Sequence, residues 1–521
     1  MKKPIRFFAV LTAMVLMGSV LTACSSGSPD TTDKSQTTNN AENNSSTGEP
    51  VYGGEITVGI AQDLDSSLDP HESVAAGTDE VMFNVFEGLV KPTPEGDIIP
   101  AVAESYEVDG ATYTFKLREG VKFHNGDTVT VDDIVYSITR CADASEGTPR
   151  VPAFSAITSI KALDEETIEI VLNAPNSEFL PYLTVAIIPA DYTDQAVAPV
   201  GTGPFKYVSR SPQENFIIEK FDEYWGEPAY LDKITFKILD SAEAIVMSLR
   251  SGSVDFVSHL TTAQVAELGG SYKILEGTMN LVQAVYLNNA YEPLQNELVR
   301  KALCHAVNIE EILLLTADGH GAPLGSSMYP SFKKFFNEDL VDYYEYNPEK
   351  AKELLKEAGY ENGFDLAITV PSNYTPHVNT AEVVVEQFRA VGINAKVESV
   401  EWATWLSDVY QGRNYQSTIS GFDASAMTGR AMLERWISTS SKNFIQFYND
   451  EYDTLFTESI TTTDDAKLIE IYDRMQEILT ENAACVYLQD LADLVAMNPA
   501  LDGYEFYPIY VMDLAGVHYV K

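Results

Sequence analysis

Basic side chains are scarce in this chain: 34 lysines and arginines stand against 77 aspartates and glutamates, a formal net charge of −43. A surface of that sign repels phosphate backbones, which argues against a nucleic-acid partner. The acidity reads first as solubility and second as a preference for cationic ligands. Cysteine is nearly absent as well, with 4 residues in 521. Apart from Cys24 there are Cys141, Cys304 and Cys485, odd in number and far apart, so at least one is unpaired within a monomer. No Cys-x-x-Cys spacing exists, which removes a structural zinc site and a dithiol redox site and leaves three small core residues as the expectation. The 7 histidines, His71, His124, His259, His305, His320, His377 and His518, show no close ligand spacing, so neither a metal nor a cofactor is expected. Gly-x-Ser-x-Gly, His-Glu-x-x-His and phosphate-loop motifs are missing, and Ser331 to Lys334 fits Ser-x-x-Lys without its partner motifs. The chain reads as a non-enzyme, although 77 acidic residues would also supply the paired carboxylates of an extracellular hydrolase. Internal repeats are absent.

Long apolar runs are lacking too, with one exception at the start. Phe7 to Val20 follows Lys2, Lys3 and Arg6 and precedes Leu21-Thr22-Ala23-Cys24, the order of a secretory signal over residues 1–23. The run falls short of the roughly 20 residues that a bilayer crossing needs. Its Leu-Thr-Ala-Cys ending resembles a lipobox, which implies lipidation of Cys24. Membrane anchorage would then be on the extracytoplasmic face of the plasma membrane, periplasmic if the cell has an outer membrane. Residues 24–50 follow as a tether: Ser25 to Glu49 holds no aromatic residue and too little apolar surface to order itself.

What is present is core material, 45% hydrophobic residues with 28 tyrosines, and from Glu55 onward an alternation of strands and helices that marks an α/β chain. Tyr113, Phe115 and Leu117 alternate with polar residues as a strand with one buried face. After Gly120 a short strand over Val121 to Phe123 is closed by the Asn125-Gly126 turn. Thr130 and Asp133 have the spacing of a capping box, and Ile134 to Arg140 continues as helix. Further on, Pro348 opens a helix that Gly359 ends. Phe364 to Val370, Thr380 to Val391 and Ile393 to Val400 then read as strand, helix and strand, a parallel right-handed crossover. Ala466 to Thr480 is a helix with one packing face.

The segment Tyr113 to Arg140, YTFKLREGVKFHNGDTVTVDDIVYSITR, resembles the signature region of family 5 extracellular solute-binding proteins, the peptide and nickel-type receptors of ABC importers. SLDPH (Ser67 to His71), FEGLV (Phe86 to Val90), PVGTGPF (Pro199 to Phe205), YWGEPAYLDKITF (Tyr224 to Phe236), LRSGSVDF (Leu249 to Phe256), VRKALCHAVN (Val299 to Asn308) and NPEKAKELLKEAG (Asn347 to Gly359) resemble further blocks of that family, in its order. The resemblance implies a two-lobed α/β fold like that of class II periplasmic binding proteins, with an extra subdomain in lobe I and two hinge strands. Lobe I would be residues 51–282 with its subdomain at about 70–200, lobe II 283–492, and the return to lobe I 493–521. The hinges would lie near Gly277 to Leu287 and Tyr487 to Met497.

It also implies a short peptide, di- or oligopeptide, held between the lobes by backbone hydrogen bonds and handed by hinge closure to ABC permease subunits. The receptor would act as a monomer. Relatives of the same fold take a nickel chelate, an opine or an oligosaccharide. The first-lobe loop maps to Ser73, Val74, Ala75 and Ala76, and the second-lobe strand to Ser420, Gly421, Phe422 and Asp423. The family's acidic partner for the peptide ammonium usually lies three places after the aromatic of this strand. Here Ser425 stands there and Asp423 is adjacent, so Asp423 reads either as that partner or as a turn former. Arg430 reads as a partner for a ligand carboxylate or as a surface ion pair. Dipeptide-type members carry an arginine where this chain has Ser372, Asn373, Tyr374 and His377, which weakens a strict dipeptide assignment. Trp402, Trp405 and Phe422 read as cleft walls or as core. His124-Asn125 and Gly201 to Gly203 read as scaffold turns.

Overall fold

Strand alternation places the apolar residues of this chain on the faces of two large sheets. In the computed structural model, which describes residues 48–73, 75–145, 149–372, 374–424 and 428–521, one sheet has seven strands and the other six. The seven-stranded sheet runs Lys273–Thr278, Ala492–Met497, Phe256–Leu260, Glu55–Ile60, Lys233–Ile238, Asn215–Lys220, Phe205–Ser211. Glu55–Ile60 pairs in parallel with both neighbours, and its inward residues Ile56 and Val58 meet Phe216, Phe236 and Phe256 in one core. The six-stranded sheet runs Ala322–Pro323, Cys485–Asp490, Val282–Leu287, Ser417–Phe422, Asp365–Pro371, Asn394–Val400.

The strand–helix–strand unit forms in the second sheet. Asp365–Pro371 and Asn394–Val400 pair in parallel around the helix Thr375–Ala390. That helix begins at Thr375 rather than Thr380, because Pro376 sits in its first turn with a backbone angle already suited to helix.

A third, four-stranded antiparallel sheet carries the extra subdomain, in the order Ala103–Asp109, Thr112–Leu117, Thr167–Leu172, Ile157–Ala162. The helix Val131–Ala142 packs against it behind a full capping box of Thr130 and Asp133. The strand expected over Val121 to Phe123 does not form, and a single bridge between Lys122 and Thr128 stands in its place. Phe123 N–H donates to Asp127 O at 2.8 Å and Gly126 N–H to Phe123 O at 2.9 Å, so the loop around Asn125-Gly126 closes too tightly to leave room for a ladder.

Several of the sequence blocks singled out above tie the first lobe to itself. Arg140 grips Asp69 with two bonds of 2.8 Å, joining SLDPH to the subdomain helix. Glu87 accepts from Tyr224 Oη at 2.6 Å and Trp225 Nε1 at 2.7 Å. His124 accepts from Gly201 N–H on Nδ1 and lies 3.0 Å from Gly203 O through Nε2, and burial pushes its pKa down to about 4, so the ring is neutral. A Cβ on Gly201 would lie 2.2 Å from Val85 O. Gly201→Ala is therefore expected to lose about 1–3 kcal/mol of stability in urea unfolding through overpacking. All three described cysteines are buried and free.

The chain passes from the seven-stranded to the six-stranded sheet between Thr278 and Val282, and returns at Leu491. The two crossings hold each other. Met279 N–H donates to Leu491 O at 2.8 Å and Leu281 N–H to Asp490 Oδ1 at 3.1 Å.

Candidate functional site

A cavity of about 1150 Å³ opens where the first lobe faces the end of the strand Ser417–Phe422. Its first-lobe wall is Ala76, Asp79 and Phe83 at the helix Ala76–Met82, with Arg150 and Tyr182 from the subdomain. Tyr507 and Tyr510 of the returning C-terminal segment close another side, and Asp423 and Ala424 face them from the second lobe. The volume exceeds the roughly 300–1,000 Å³ of ordinary small-molecule sites.

Its charged lining is mostly acidic, Asp79, Glu87, Glu227, Asp423 and Asp513 against Lys91 and Arg150. Asp79 and Asp423 lie on opposite lobes and both have their pKa raised, first of all by burial. Asp423 is open to the cavity solvent, yet the surrounding walls displace most of its water. Ser73 partly offsets the effect on Asp79, and Arg435 that on Asp423. Neither carboxylate is engaged in an ion pair among the described residues, so an entering ammonium group would meet two under-solvated anions.

The first-lobe loop is pinned rather than free. Ser73 Oγ donates to Asp65 Oδ2 at 3.2 Å and Ala75 N–H to the same oxygen at 3.0 Å, which sets Ala76 as the first helical residue on the cavity wall. Val74 and Asn373 lie outside the described residues. Gly421 and Phe422 pair with Gln283 and Val282, and Phe422 packs edge-on against Tyr286 while the Arg435 guanidinium covers its ring at 4.0 Å. Ser420 is buried within that strand.

Tyr374 and Trp402 remain on the surface, 43% and 40% exposed, with ring centroids 5.4 Å apart. Three of the expected contact residues are placed elsewhere. Trp405 is 1% exposed and donates Nε1–H to Thr418 Oγ1 at 2.9 Å, so it is core. His377 points into the second lobe and accepts from Gln283 Nε2 at 2.8 Å, and burial pushes it down to about 4. Arg430 is neither in the open cleft nor on the surface: it is buried against Glu178, Nε to Oε2 3.3 Å, and Asn176, Nη1 to Oδ1 2.7 Å.

That last pair spans the lobes. Glu178 follows the subdomain strand Thr167–Leu172, whereas Arg430 lies in the helix Gly429–Leu433 of the second lobe, and Tyr472 of that lobe adds its hydroxyl to Glu178. Lys333 reaches Glu95 O as a second contact between the lobes, and at the first crossing Asn280 Nδ2 donates to Tyr507 O at 2.7 Å. Sequence reasoning missed Asp79, Tyr182, Tyr507 and Tyr510. The aromatic density of Tyr504 to Tyr510, YEFYPIY, was the available signal for the last two.

This architecture has known counterparts. The chain is 29% identical over 452 residues to "Heme-binding protein A" of Haemophilus influenzae, covering 78% of this chain and 82% of that one. It is 27% identical over 472 residues to "Dipeptide-binding protein" of Escherichia coli K12, covering 82% and 86%. Among solved structures, the periplasmic binding protein DppA of Helicobacter pylori in complex with the peptide STSA matches with a TM-score of 0.76 at 26% identity, covering 90% of this chain and 99% of that one. Residues 97–444 match the family described as "Bacterial extracellular solute-binding proteins, family 5 Middle". With its two lobes, its double crossing and that match, the chain belongs to the family 5 extracellular solute-binding proteins, and its role is that of a substrate-binding protein.

Proposed function

We propose that this receptor captures short peptides by their amino terminus and delivers them to an ABC permease, without making or breaking a bond. The observation that carries the peptide reading is the pair Asp79 and Asp423, two carboxylates on facing walls with raised pKa and no ion-pair partner among the described residues. A peptide ammonium supplies the missing charge, and strand-like backbone pairing between ligand and receptor would tolerate many side chains. The peptide STSA is bound in the Helicobacter pylori relative, and the Escherichia coli relative is named a dipeptide-binding protein. Contacts from both lobes coexist only when the lobes are together, so ligand shifts the population toward the closed form about the crossings at Thr278 to Val282 and Leu491. No helix among the described residues is long and apolar enough to cross a membrane. Lipidated Cys24, followed by the tether, keeps the monomeric receptor at the outer face of the plasma membrane beside its permease.

Titration calorimetry with a peptide library, nickel chelates and opines tests this, and binding of a chelate alone would overturn it. Asp423→Ala is expected to weaken peptide binding by about 2 kcal/mol, the size of a lost charged hydrogen bond, and N-acetylated peptides should bind equally poorly to both proteins. Because burial raises the Asp423 pKa, the wild-type affinity should fall as pH drops through that raised value, at a higher pH than an ordinary carboxylate would dictate.

A further inference from the structure

The subdomain wall of the cavity runs on into a buried polar cluster shared with the second lobe. In the subdomain, Tyr182 lines the cavity and Glu178 lies a turn before it; in the second lobe, Ala424 lines the cavity and the chain continues to Thr428 and Arg430. The side chains of Glu178 and Arg430 are 7% and 8% exposed. Arg430 N–H donates to Glu178 Oε2 at 3.2 Å, its Nη1 donates to Asn176 Oδ1, Tyr472 Oη donates to Glu178, and Tyr113 Oη donates to Asn176 O. Every acceptor in this cluster belongs to the first lobe. Every donor to the Glu178 carboxylate belongs to the second, whereas Asn176 Oδ1 accepts both from Arg430 and from Glu178 N–H of its own lobe.

Building on the peptide reading above, we propose that the Glu178–Arg430–Tyr472 cluster sets the length of ligand that this receptor accepts. A ligand that ends before Tyr182 leaves the cluster intact, and closure gains its hydrogen bonds. A ligand that extends past Tyr182 holds the lobes apart there and leaves a carboxylate and a guanidinium half-buried without their partners. Separated buried charges are costly, whereas the intact pair is close to neutral against hydrophobic replacements. The selectivity is therefore against long ligands rather than for short ones, a discrimination by exclusion.

The test is titration calorimetry of the mature protein with tri-, penta- and octapeptides of one repeating Lys-Ala sequence. Wild type is expected to bind the octapeptide at least about tenfold more weakly than the best shorter peptide. In the double variant Glu178→Gln/Arg430→Gln that ratio should shrink to within about threefold, through a gain for the octapeptide. Tyr472→Phe, which keeps the ring and removes one donor, should shift the ratio in the same direction by less and decides the matter if the double variant does not fold. Equal wild-type affinity for all lengths, or a ratio unchanged in the folded variants, overturns the length role while leaving peptide capture standing. Failure of every peptide to bind wild type, with an opine or chelate binding instead, overturns the peptide reading and the length role together.

Discussion

An Arg430→Met chain is expected to stay folded and to open. The substitution leaves the Glu178 carboxylate buried with the Tyr472 hydroxyl and one backbone N–H, and removing one partner of a buried ion pair costs about 3–5 kcal/mol. Were both residues in one lobe, that loss would appear as unfolding. They lie in different lobes, so water can reach Glu178 by lobe separation, and each lobe keeps its own core, the Ile56–Phe256 cluster in one and the Tyr286–Tyr472 cluster in the other. Small-angle scattering should therefore show a larger radius of gyration without ligand, and peptide affinity should fall because part of the binding energy is spent on closure. Burial raises the Glu178 pKa, so acid pH neutralises the orphaned group sooner than an exposed glutamate, and the defect should shrink as pH falls. Adding Glu178→Gln should rescue closure at neutral pH, and the double-mutant cycle then gives the coupling directly. Scattering curves that superimpose for variant and wild type would show that the pair does not hold the lobes.

How much of this was legible in the sequence depends on how local the cause is. The strand Thr112–Leu117, the capping box at Thr130 and the parallel pair around the helix Thr375–Ala390 follow from periods and caps within a few residues, and they are readable in the chain. Val121 to Phe123 was not, because a run that short yields to whatever turn closes beside it. The cavity is assembled from segments near residues 76, 182, 423 and 507, and no period links them. His377 and Trp405 show the limit most clearly. Both stand on elements whose apolar face is plain from spacing, yet spacing does not tell a face turned to a core from one turned to a cleft. Arg430 finds its carboxylate 252 positions away, so its reading as ligand partner or surface pair left out the arrangement that the fold supplies.

The same distinction separates the blocks that mark the family from the residues that hold a ligand. Asp69 with Arg140, Glu87 with Trp225 and His124 with Gly201 are contacts inside the first lobe. They fix where Ala76 and Asp79 stand but do not touch the cavity's contents, apart from Glu87 and Trp225 at its rim. A rigid lobe can therefore be shared widely while, on the reading proposed above, Asp79, Asp423 and Tyr182 set what one receptor takes.

Asp490→Asn is expected to stabilise this protein above neutral pH. Asp490 ends the strand Cys485–Asp490 at the second crossing and is 0% exposed. Its Oδ1 accepts Leu281 N–H at 3.1 Å, and Oδ2 finds no hydrogen-bond partner among the described residues. Burial pushes its pKa up to about 7, with Asp493 adding to the rise and the backbone N–H groups of Leu281 and Asn280 and the Thr278 hydroxyl opposing it. In the unfolded chain the same group titrates near 3.9. Between about pH 4 and pH 7 the folded protein thus holds a proton that the unfolded chain has released, and stability falls as pH rises through that window before levelling above it. A gap of about three pH units corresponds to about 4 kcal/mol. Asparagine keeps the acceptor for Leu281 N–H and cannot ionise, so the variant should match wild type near pH 4, lose less stability than wild type as pH rises from there, and exceed it by up to that amount at pH 8. Urea unfolding at intervals across this range measures it, and parallel profiles for the two proteins would mean that Asp490 is ionised at no such cost and that the crossing is solvated after all.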